Sequence, residues 1–411
     1  MPMKRLAMLL LPLLLLPCAA LGVQSASVRV VTATDLHFLA PSLTDNGPYF
    51  TQMIERGDGK VMACIEELTE AFLSQVIALK PDVLILSGDL TFNGERESHE
   101  AMAQKLARVE AAGVPVLVLP GNHDLDSRSA ARFEGDGYER VPGVSASEFA
   151  AIYSAFGFDG ALSRDSASLS YTAQLTDSLR VLMVDANTED MPCCIPEETL
   201  SWIARQLEDA QSAGCRVLAV SHQNLLDHSS LISSGFTIDN ADALRALYAD
   251  SPVICNLSGH LHIQHTARCD EGIWYIATSS LAVSPNAFGV LTLDGKTLTY
   301  RTESADVAAW AAAQGLSDSR LADFAAYSER FFKDNARRQA RAAIMDDESP
   351  EQLAEAFAEL NAAYFAGRMD ACTVSDNLLS RWQKQSLFLA RYVASIAQEE
   401  PRNCCELTLA Y

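Results

Sequence analysis

Val28-Arg29-Val30-Val31-Thr32-Ala33-Thr34-Asp35-Leu36-His37 decides the fold of this chain. A short run dominated by β-branched residues favours a strand over a helix. It closes on Asp35 and His37, two side chains that can ligate a metal. The same grammar recurs downstream. Val83–Ser87 runs into Gly88-Asp89, and Val114–Leu119 into Gly121-Asn122-His123-Asp124. Val217–Val220 runs into Ser221-His222, and Val253–Leu257 into Gly259-His260-Leu261-His262. Short, almost wholly apolar strands are those buried on both faces, as in parallel sheets. Helical spacing separates them: Ile65, Leu68, Phe72, Leu73 and Val76 share one face, as do Leu200, Ile203, Ala204 and Leu207. Strands alternating with helices, with polar residues at the strand ends, predict an α/β sheet carrying its site along one edge.

Further strands are expected at Ser168–Leu175, Val181–Asp185 and Trp274–Thr278. A hairpin is expected from Gly289–Leu293 and Thr297–Arg301 across Asp294-Gly295. These later strands predict a second sheet packed on the first. After Ser304 glycine and β-branched residues thin out and helical stripes take over. One holds Leu321, Phe324, Ser328, Phe331 and Phe332, one Leu353, Phe357, Leu360 and Tyr364, and a third Leu378, Leu379, Trp382, Leu389 and Tyr392. The predicted fold class is α/β, two packed mixed β-sheets flanked by helices, plus an all-α C-terminal domain. Its expected divisions are a leader at 1–25, the α/β domain at 26–304 and the helical domain at 305–411.

Taken singly, the polar blocks are ordinary: Gly-Asp after a strand marks a turn, and Asn122 or Asp124 can cap a helix. Taken together and in order, they supply the ligands of two metal ions. Carboxylate oxygen with neutral imidazole suits Mn, Fe, Zn or Ni rather than Mg or Ca, and Mn or Fe is the expected pair here. Asp89 is the expected bridge. Asp35, His37 and His262 complete one ion, and Asn122, His222 and His260 the other. Two such ions bind a phosphate ester, supply a bridging hydroxide at neutral pH and stabilise an in-line displacement. His123, left without an ion, is placed to protonate the leaving oxygen. His99, His228 and His265 are expected at the surface or behind the ligands, and Asp185 in a structural role.

The five blocks D-x-H, G-D, G-N-H-D, H and G-H-x-H, from Asp35 to His262, resemble the calcineurin-like metallophosphoesterase family. His222 departs from it only in its neighbours, Ser221 and Gln223. The resemblance implies a metallophosphoesterase sandwich and hydrolysis of phosphoric esters. Ser42–Gly47, Gly235–Asn240 and the helical tail are similar to secreted bacterial members related to class III cyclic nucleotide phosphodiesterases. That likeness implies a small phosphodiester substrate, 3′,5′-cyclic nucleotides above all; Asn46, Tyr49, Phe236 and Asn286 are the candidates to line its pocket, with a turn or packing role as the alternative for each. The alternatives are a broad phosphomonoesterase, nucleotidase or phospholipid-headgroup hydrolase on the same site, or a non-catalytic metal-binding scaffold.

The 411 residues are 49% hydrophobic and 20% charged, enough for a large core. A net charge of −22 disfavours nucleic acid polymers and anionic membranes as partners. Lys4 and Arg5 before the apolar run Leu6–Leu16, then small residues to Ala26, predict an export leader, secretion and no stable membrane span. Cys18 offers a lipid anchor as the lesser alternative. Export permits disulfides among the ten cysteines, Cys255 with Cys269 and Cys372 with Cys404 or Cys405 being the local pairs.

Overall fold

The computed structural model describes residues 27–411, so the leader expected at 1–25, Cys18 included, lies outside the described residues. The first half runs β1 (Val28–Ala33), α1 (Pro48–Glu55), α2 (Ile65–Leu79), β2 (Val83–Ser87), α3 (Arg96–Ala111), β3 (Val116–Leu119), β4 (Ala131–Glu134), β5 (Gly137–Arg140) and α4 (Ala146–Ile152). Next come β6 (Ser163–Arg164), β7 (Tyr171–Thr176), β8 (Leu179–Val184), α5 (Glu197–Ser212), β9 (Arg216–Ser221), α6 (Ala241–Ala249) and β10 (Val253–Ser258). Then β11 (His265–Arg268), β12 (Trp274–Ala277), β13 (Ala287–Asp294) and β14 (Thr297–Ser304) complete the α/β part. The rest is α7 (Val307–Ala313), α8 (Ser319–Ala322), α9 (Phe324–Ala342), α10 (Pro350–Phe365), α11 (Asp376–Gln385), α12 (Leu387–Ala397) and β15 (Glu406–Ala410).

Two mixed sheets face each other. One has the order β15-β14-β13-β1-β2-β3, the other β11-β12-β10-β9-β8-β7-β6. β1, β2 and β3 are parallel, as are β8, β9, β10 and β12. Side chains alternate across β8: Val181 and Met183 enter the core shared by the two sheets, while Leu182 and Val184 pack outward under α5 and α6. Tyr171 ties the layers together, its hydroxyl donating to the Val118 carbonyl at 2.9 Å.

The predicted strands exist, but their partition differs from the expected one. The hairpin β13–β14 extends the first sheet, since β13 pairs antiparallel with β1, and it forms no part of the second. β9 and β10 belong to the second sheet. Apolar strands of both sheets are buried on both faces, so hydrophobicity alone does not tell them apart. The helical part also ends earlier than Tyr411: Glu406–Ala410 returns and pairs antiparallel with β14. Leu409 is buried there beside Leu298, which supplies the apolar reason for the return. The helices build their own core of Phe357, Trp382, Tyr392 and Val393, and that core includes Leu261 and Ile263 from the α/β domain.

The expected disulfides do not form. All nine described cysteines are free, and the sulfurs of Cys269, Cys372 and Cys405 each donate to a backbone carbonyl instead. Among the described residues no helix is long and apolar enough to cross a membrane.

Candidate dinuclear metal centre

Every proposed ligand lies just past the carboxyl end of a parallel strand: Asp35 and His37 after β1, Asp89 after β2, Asn122 after β3, His222 after β9, and His260 and His262 after β10. Parallel strands bring those ends to one edge, where the two sheets meet. The chain must reverse sharply there. Five of the ten described non-glycine residues in the left-handed region are candidate ligands: Asp35, His37, Asp89, His260 and His262. Such backbone costs on the order of 1–3 kcal/mol per residue and persists where surrounding structure enforces it. Gly121 and Gly259 permit the close approach. A Cβ on Gly121 would lie 2.1 Å from Asp89 Oδ1, and one on Gly259 would lie 2.6 Å from Asp35 Oδ2.

Two ligand groups result, Asp35–His37–His262 and Asp89–His222–His260. In the first, His262 Nε2 lies 3.3 Å from Asp35 Oδ1 and 3.2 Å from His37 Nε2. In the second, His222 Nε2 lies 3.1 Å from Asn122 Oδ1 and 3.4 Å from Asp89 Oδ1. Asp89 reaches both groups, its Oδ2 standing 3.8 Å from His37 Nε2. The sequence-predicted ligands are thus gathered in one place.

The residues fit two cations. Asp35 Oδ1 and His37 Nδ1 are buried with no hydrogen-bond partner, and Asp35 Oδ1 faces the imidazoles of its group. The other carboxyl oxygen is held, accepting from Thr34 Oγ1 at 2.7 Å and from the His260 amide at 2.8 Å. His222 Nδ1 lies 2.9 Å from the Ser87 carbonyl, which aims Nε2 at the cluster. His260 Nε2 lies 2.8 Å from the Gly235 carbonyl, which leaves Nδ1 as its available nitrogen. Imidazoles oriented by such outer partners are characteristic of metal ligands.

The charges agree. Burial opposes ionisation of Asp89, but His222 and His123 outweigh it and hold the carboxyl well below the usual range. Burial would lower His222, yet Asp89 and Asp35 raise it to about 9. Burial and then His222 depress His260 to about 4, and burial and then Lys60 hold His37 well below normal. The buried carboxylates therefore demand positive charge, and His37 and His260 keep free lone pairs.

His123 is held as a positioned side chain rather than a ligand. Its amide donates to Asp89 Oδ1 at 2.9 Å, and Nδ1 lies 3.0 Å from the Phe92 carbonyl, so Nε2 is the free nitrogen. Asp124 serves the loop: it accepts from the amides of Leu90, Thr91 and Gly121 and stays off the metal groups. His99 is buried behind it, Nε2 3.0 Å from the Asp124 carbonyl and Nδ1 3.0 Å from Tyr153 Oη. Asp185 accepts from Leu169 and Asn187 amides and is structural. His228 and His265 are buried rather than superficial, paired Nδ1 to Nδ1 at 2.9 Å.

A cavity of about 510 Å³ opens over the cluster, lined by Asp89, Asn122, His123, His260 and His262 on one side and by α9, α10 and α12 on the other. Of the expected pocket residues only Phe236 lines it, its ring 4.9 Å from that of His260. Tyr49 instead packs on Phe133 and Tyr138. Asn46 serves a left-handed turn with Thr44 and Thr51. Asn286 is buried, donating to the Leu281 carbonyl. A turn-forming asparagine looks the same in sequence whether or not a ligand is near.

Asp58 and Lys60, not singled out from sequence, stand at the cavity and pair at 2.9 Å. Burial pushes Asp58 up, but Lys60 and His262 outweigh it and hold its carboxyl below normal. The Gly57-Asp58-Gly59 setting reads as a plain turn, so no local signal marks them.

The family model described as calcineurin-like phosphoesterase matches residues 28–264. A second, described as the C-terminal domain of cyclic nucleotide phosphodiesterase, matches residues 306–403. The chain is 38% identical to a probable cyclic nucleotide phosphodiesterase of Ruthia magnifica subsp. Calyptogena magnifica over 55 residues, 13% of this chain and 22% of that protein. It is 34% identical to a protein of the same name from Vesicomyosocius okutanii subsp. Calyptogena okutanii over 61 residues, 15% and 25% of the two chains. The matched stretches thus span about a quarter of the length of these curated relatives. Among solved structures, a dimetal phosphatase from Danio rerio superposes with a TM-score of 0.51 at 14% identity. The superposition covers 68% of this chain and 96% of that one, a likeness of fold.

Proposed function

The chain belongs to the calcineurin-like phosphoesterase family, and from that premise we propose that it is a two-metal phosphodiesterase of small phosphodiesters, 3′,5′-cyclic nucleotides being its natural class. One observation carries the reading. Asp89 turns one carboxyl oxygen to each ligand group, Oδ1 towards His222 and Oδ2 towards His37, as a bridge between two ions requires. Ions bound there supply Lewis acidity at the phosphate and a nucleophile at neutral pH. Donors of this type favour Mn or Fe, with Zn or Ni as alternatives.

The chain's own residues do the rest. Asn122 and the four imidazoles hold the groups in place, and the hydrogen bond that the His123 amide donates to Asp89 Oδ1 keeps the His123 loop against the bridge. His123 Nε2, freed by the Phe92 contact, is the proton donor for the leaving oxygen. Among the cavity-lining residues Lys60 is the sole lysine or arginine, and Asp58 already neutralises it. That charge distribution suits a monoanionic diester better than a polyphosphate. The enclosing helical wall favours a small molecule over a polymer, in keeping with the net charge of −22.

Metal analysis of the purified protein, followed by turnover of cyclic nucleotides, nucleoside monophosphates, glycerophosphocholine and nitrophenyl esters, tests this reading. Two ions per chain with cyclic nucleotides hydrolysed fastest is the expected result. Preference for monoesters or the choline diester would replace it with a monoesterase or headgroup hydrolase, and metals without turnover with a binding scaffold. Export under the 1–25 leader belongs to the same reading. The protein from its native host should have an intact mass starting between Ala20 and Ser27, and acylation at Cys18 would overturn that.

A further inference from the structure

We infer that the helical wall of the cavity is a nucleobase-recognition surface, in which Asn335 and Asn361 engage the polar edge of the base. The inference rests on the phosphodiesterase reading above, since the base would belong to the ester whose phosphate lies at the metals. α9 lines the cavity with Phe332, Asn335, Ala336 and Gln339, α10 with Phe357, Asn361 and Phe365, and α12 with Phe388, Leu389 and Tyr392. None of these carries a charge. A wall of rings and carboxamides suits a flat, neutral group with a hydrogen-bonding edge. It does not suit a second phosphate.

The two asparagines differ in a complementary way. Asn335 is only 2% exposed, and its Nδ2 donates to the Phe331 carbonyl at 3.1 Å, which determines the orientation of the amide. Its Oδ1 is a buried acceptor with no partner. An unmade hydrogen bond in a buried place costs free energy unless a donor arrives. Asn361 is half-buried, and its Oδ1 accepts from the Tyr392 hydroxyl at 2.7 Å. That leaves Nδ2 as an uncommitted donor. One acceptor on α9 and one donor on α10 are the kinds of group that the donor and acceptor along a nucleobase edge can use. A quaternary ammonium headgroup offers neither.

The rim adds an independent sign. Phe388 is 63% and Leu387 67% exposed at the start of α12, two large apolar side chains left without a covering element. Phe388 lines the cavity and offers a ring face to a flat ligand, as aromatic side chains do for bases.

The test uses the full-length, metal-loaded protein and the variants Asn335→Leu and Asn361→Ala. With 3′,5′-cyclic AMP, KM should rise about 10- to 100-fold, because sites built around substrate hydrogen bonds lose discrimination steeply. With methyl p-nitrophenyl phosphate, which has no base edge, kcat and KM should be unchanged, as should metal content. Saturation-transfer NMR on the zinc-loaded, unmodified protein should give the strongest transfer at the base protons of AMP, and Asn361→Ala should lose it. Should Asn335→Leu fail to fold, the half-buried Asn361 decides alone. Cyclic AMP hydrolysis with KM unmoved in Asn361→Ala, or equal losses on both esters, overturns the subsite and leaves the phosphodiesterase reading standing. Turnover of the nitrophenyl ester but of no cyclic nucleotide overturns the nucleotide reading, and the subsite with it.

Discussion

Asp89 is the residue on which the centre turns, since its two oxygens face different ligand groups. Asp89→Asn keeps the shape and removes the charge. Metal content by elemental analysis should fall below two ions per chain. Turnover should drop at least about 10²-fold, more than loss of an outer-shell partner costs. His123→Ala should leave both ions in place and slow the reaction about 10²–10⁴-fold on cyclic nucleotides, as loss of a general acid does. The deficit should shrink on nitrophenyl esters, whose leaving group needs no proton. Equal deficits on both would contradict the proton-donor role. Glu95 offers a pH test away from the ligands. Burial raises its pKa from 4.5 to about 7, against which the Asn93 amide acts as the leading opposing hydrogen bond. A carboxyl raised in the fold stabilises below its unfolded pKa, and that contribution is lost as pH rises from about 4.5 through about 7. The shift corresponds to at most about 3 kcal/mol. Glu95→Gln should therefore raise Tm at pH 8, change it little at pH 4.5 and flatten the pH profile between. A pH-independent change in Tm would refute this.

At the scale of elements, the turn Gly259–His262 joins two functions. His260 serves one ligand group and His262 the other, both in left-handed backbone. Between them Leu261 points into the core of the helical domain, as does Ile263 beyond. Gln264 is gripped on both sides, its amide donating to the Phe365 carbonyl at 3.0 Å and its Nε2 to the Cys404 carbonyl at 3.0 Å. The helices thus hold the turn that aims two ligands without contributing one. Leu261→Ala should cost about 2–5 kcal/mol of stability, as buried leucine truncations do. It should also weaken metal retention during dialysis against a chelator. Lowered stability with metal retention unchanged would show that the helical core does not position the turn.

At the scale of the whole molecule, the last strand changes what a truncation does. All seven proposed ligands precede Ala305, so spacing along the chain predicts a shortened protein that keeps both ions. The packing predicts otherwise. Ending the chain at Ser304 strips β15 from β14 and uncovers Leu261, Ile263 and the apolar cavity wall. Exposed apolar area on that scale promotes association. Such a protein should be poorly soluble, and any soluble fraction should bind metal more weakly than the full chain. A monomeric truncated protein retaining two ions would show the helical domain to be dispensable for the centre.

The sequence by itself determined most strands of the two sheets, the order of the five blocks and the seven candidate ligands with His123. Each of these is a local statement. A β-branched run favours a strand through its own side chains, and Asp35 or His260 carries its donor atoms whatever surrounds it. Periodicity also marked the helical segment, because its apolar stripes repeat at the helical spacing. Tertiary structure alone decided the rest. It assigned β9 and β10 to one sheet and the β13–β14 hairpin to the other, since pairing depends on partners that hydrophobicity does not name. It sent Glu406–Ala410 back to β14. It removed Asn46, Tyr49 and Asn286 from the cavity and brought Asp58, Lys60, Asn335 and Asn361 into it. A ligand set written in short motifs is legible because the chemistry restricts the residue types. A cavity wall is not, because any helix can carry an asparagine, and only the packing of one domain on another determines which asparagine faces the site.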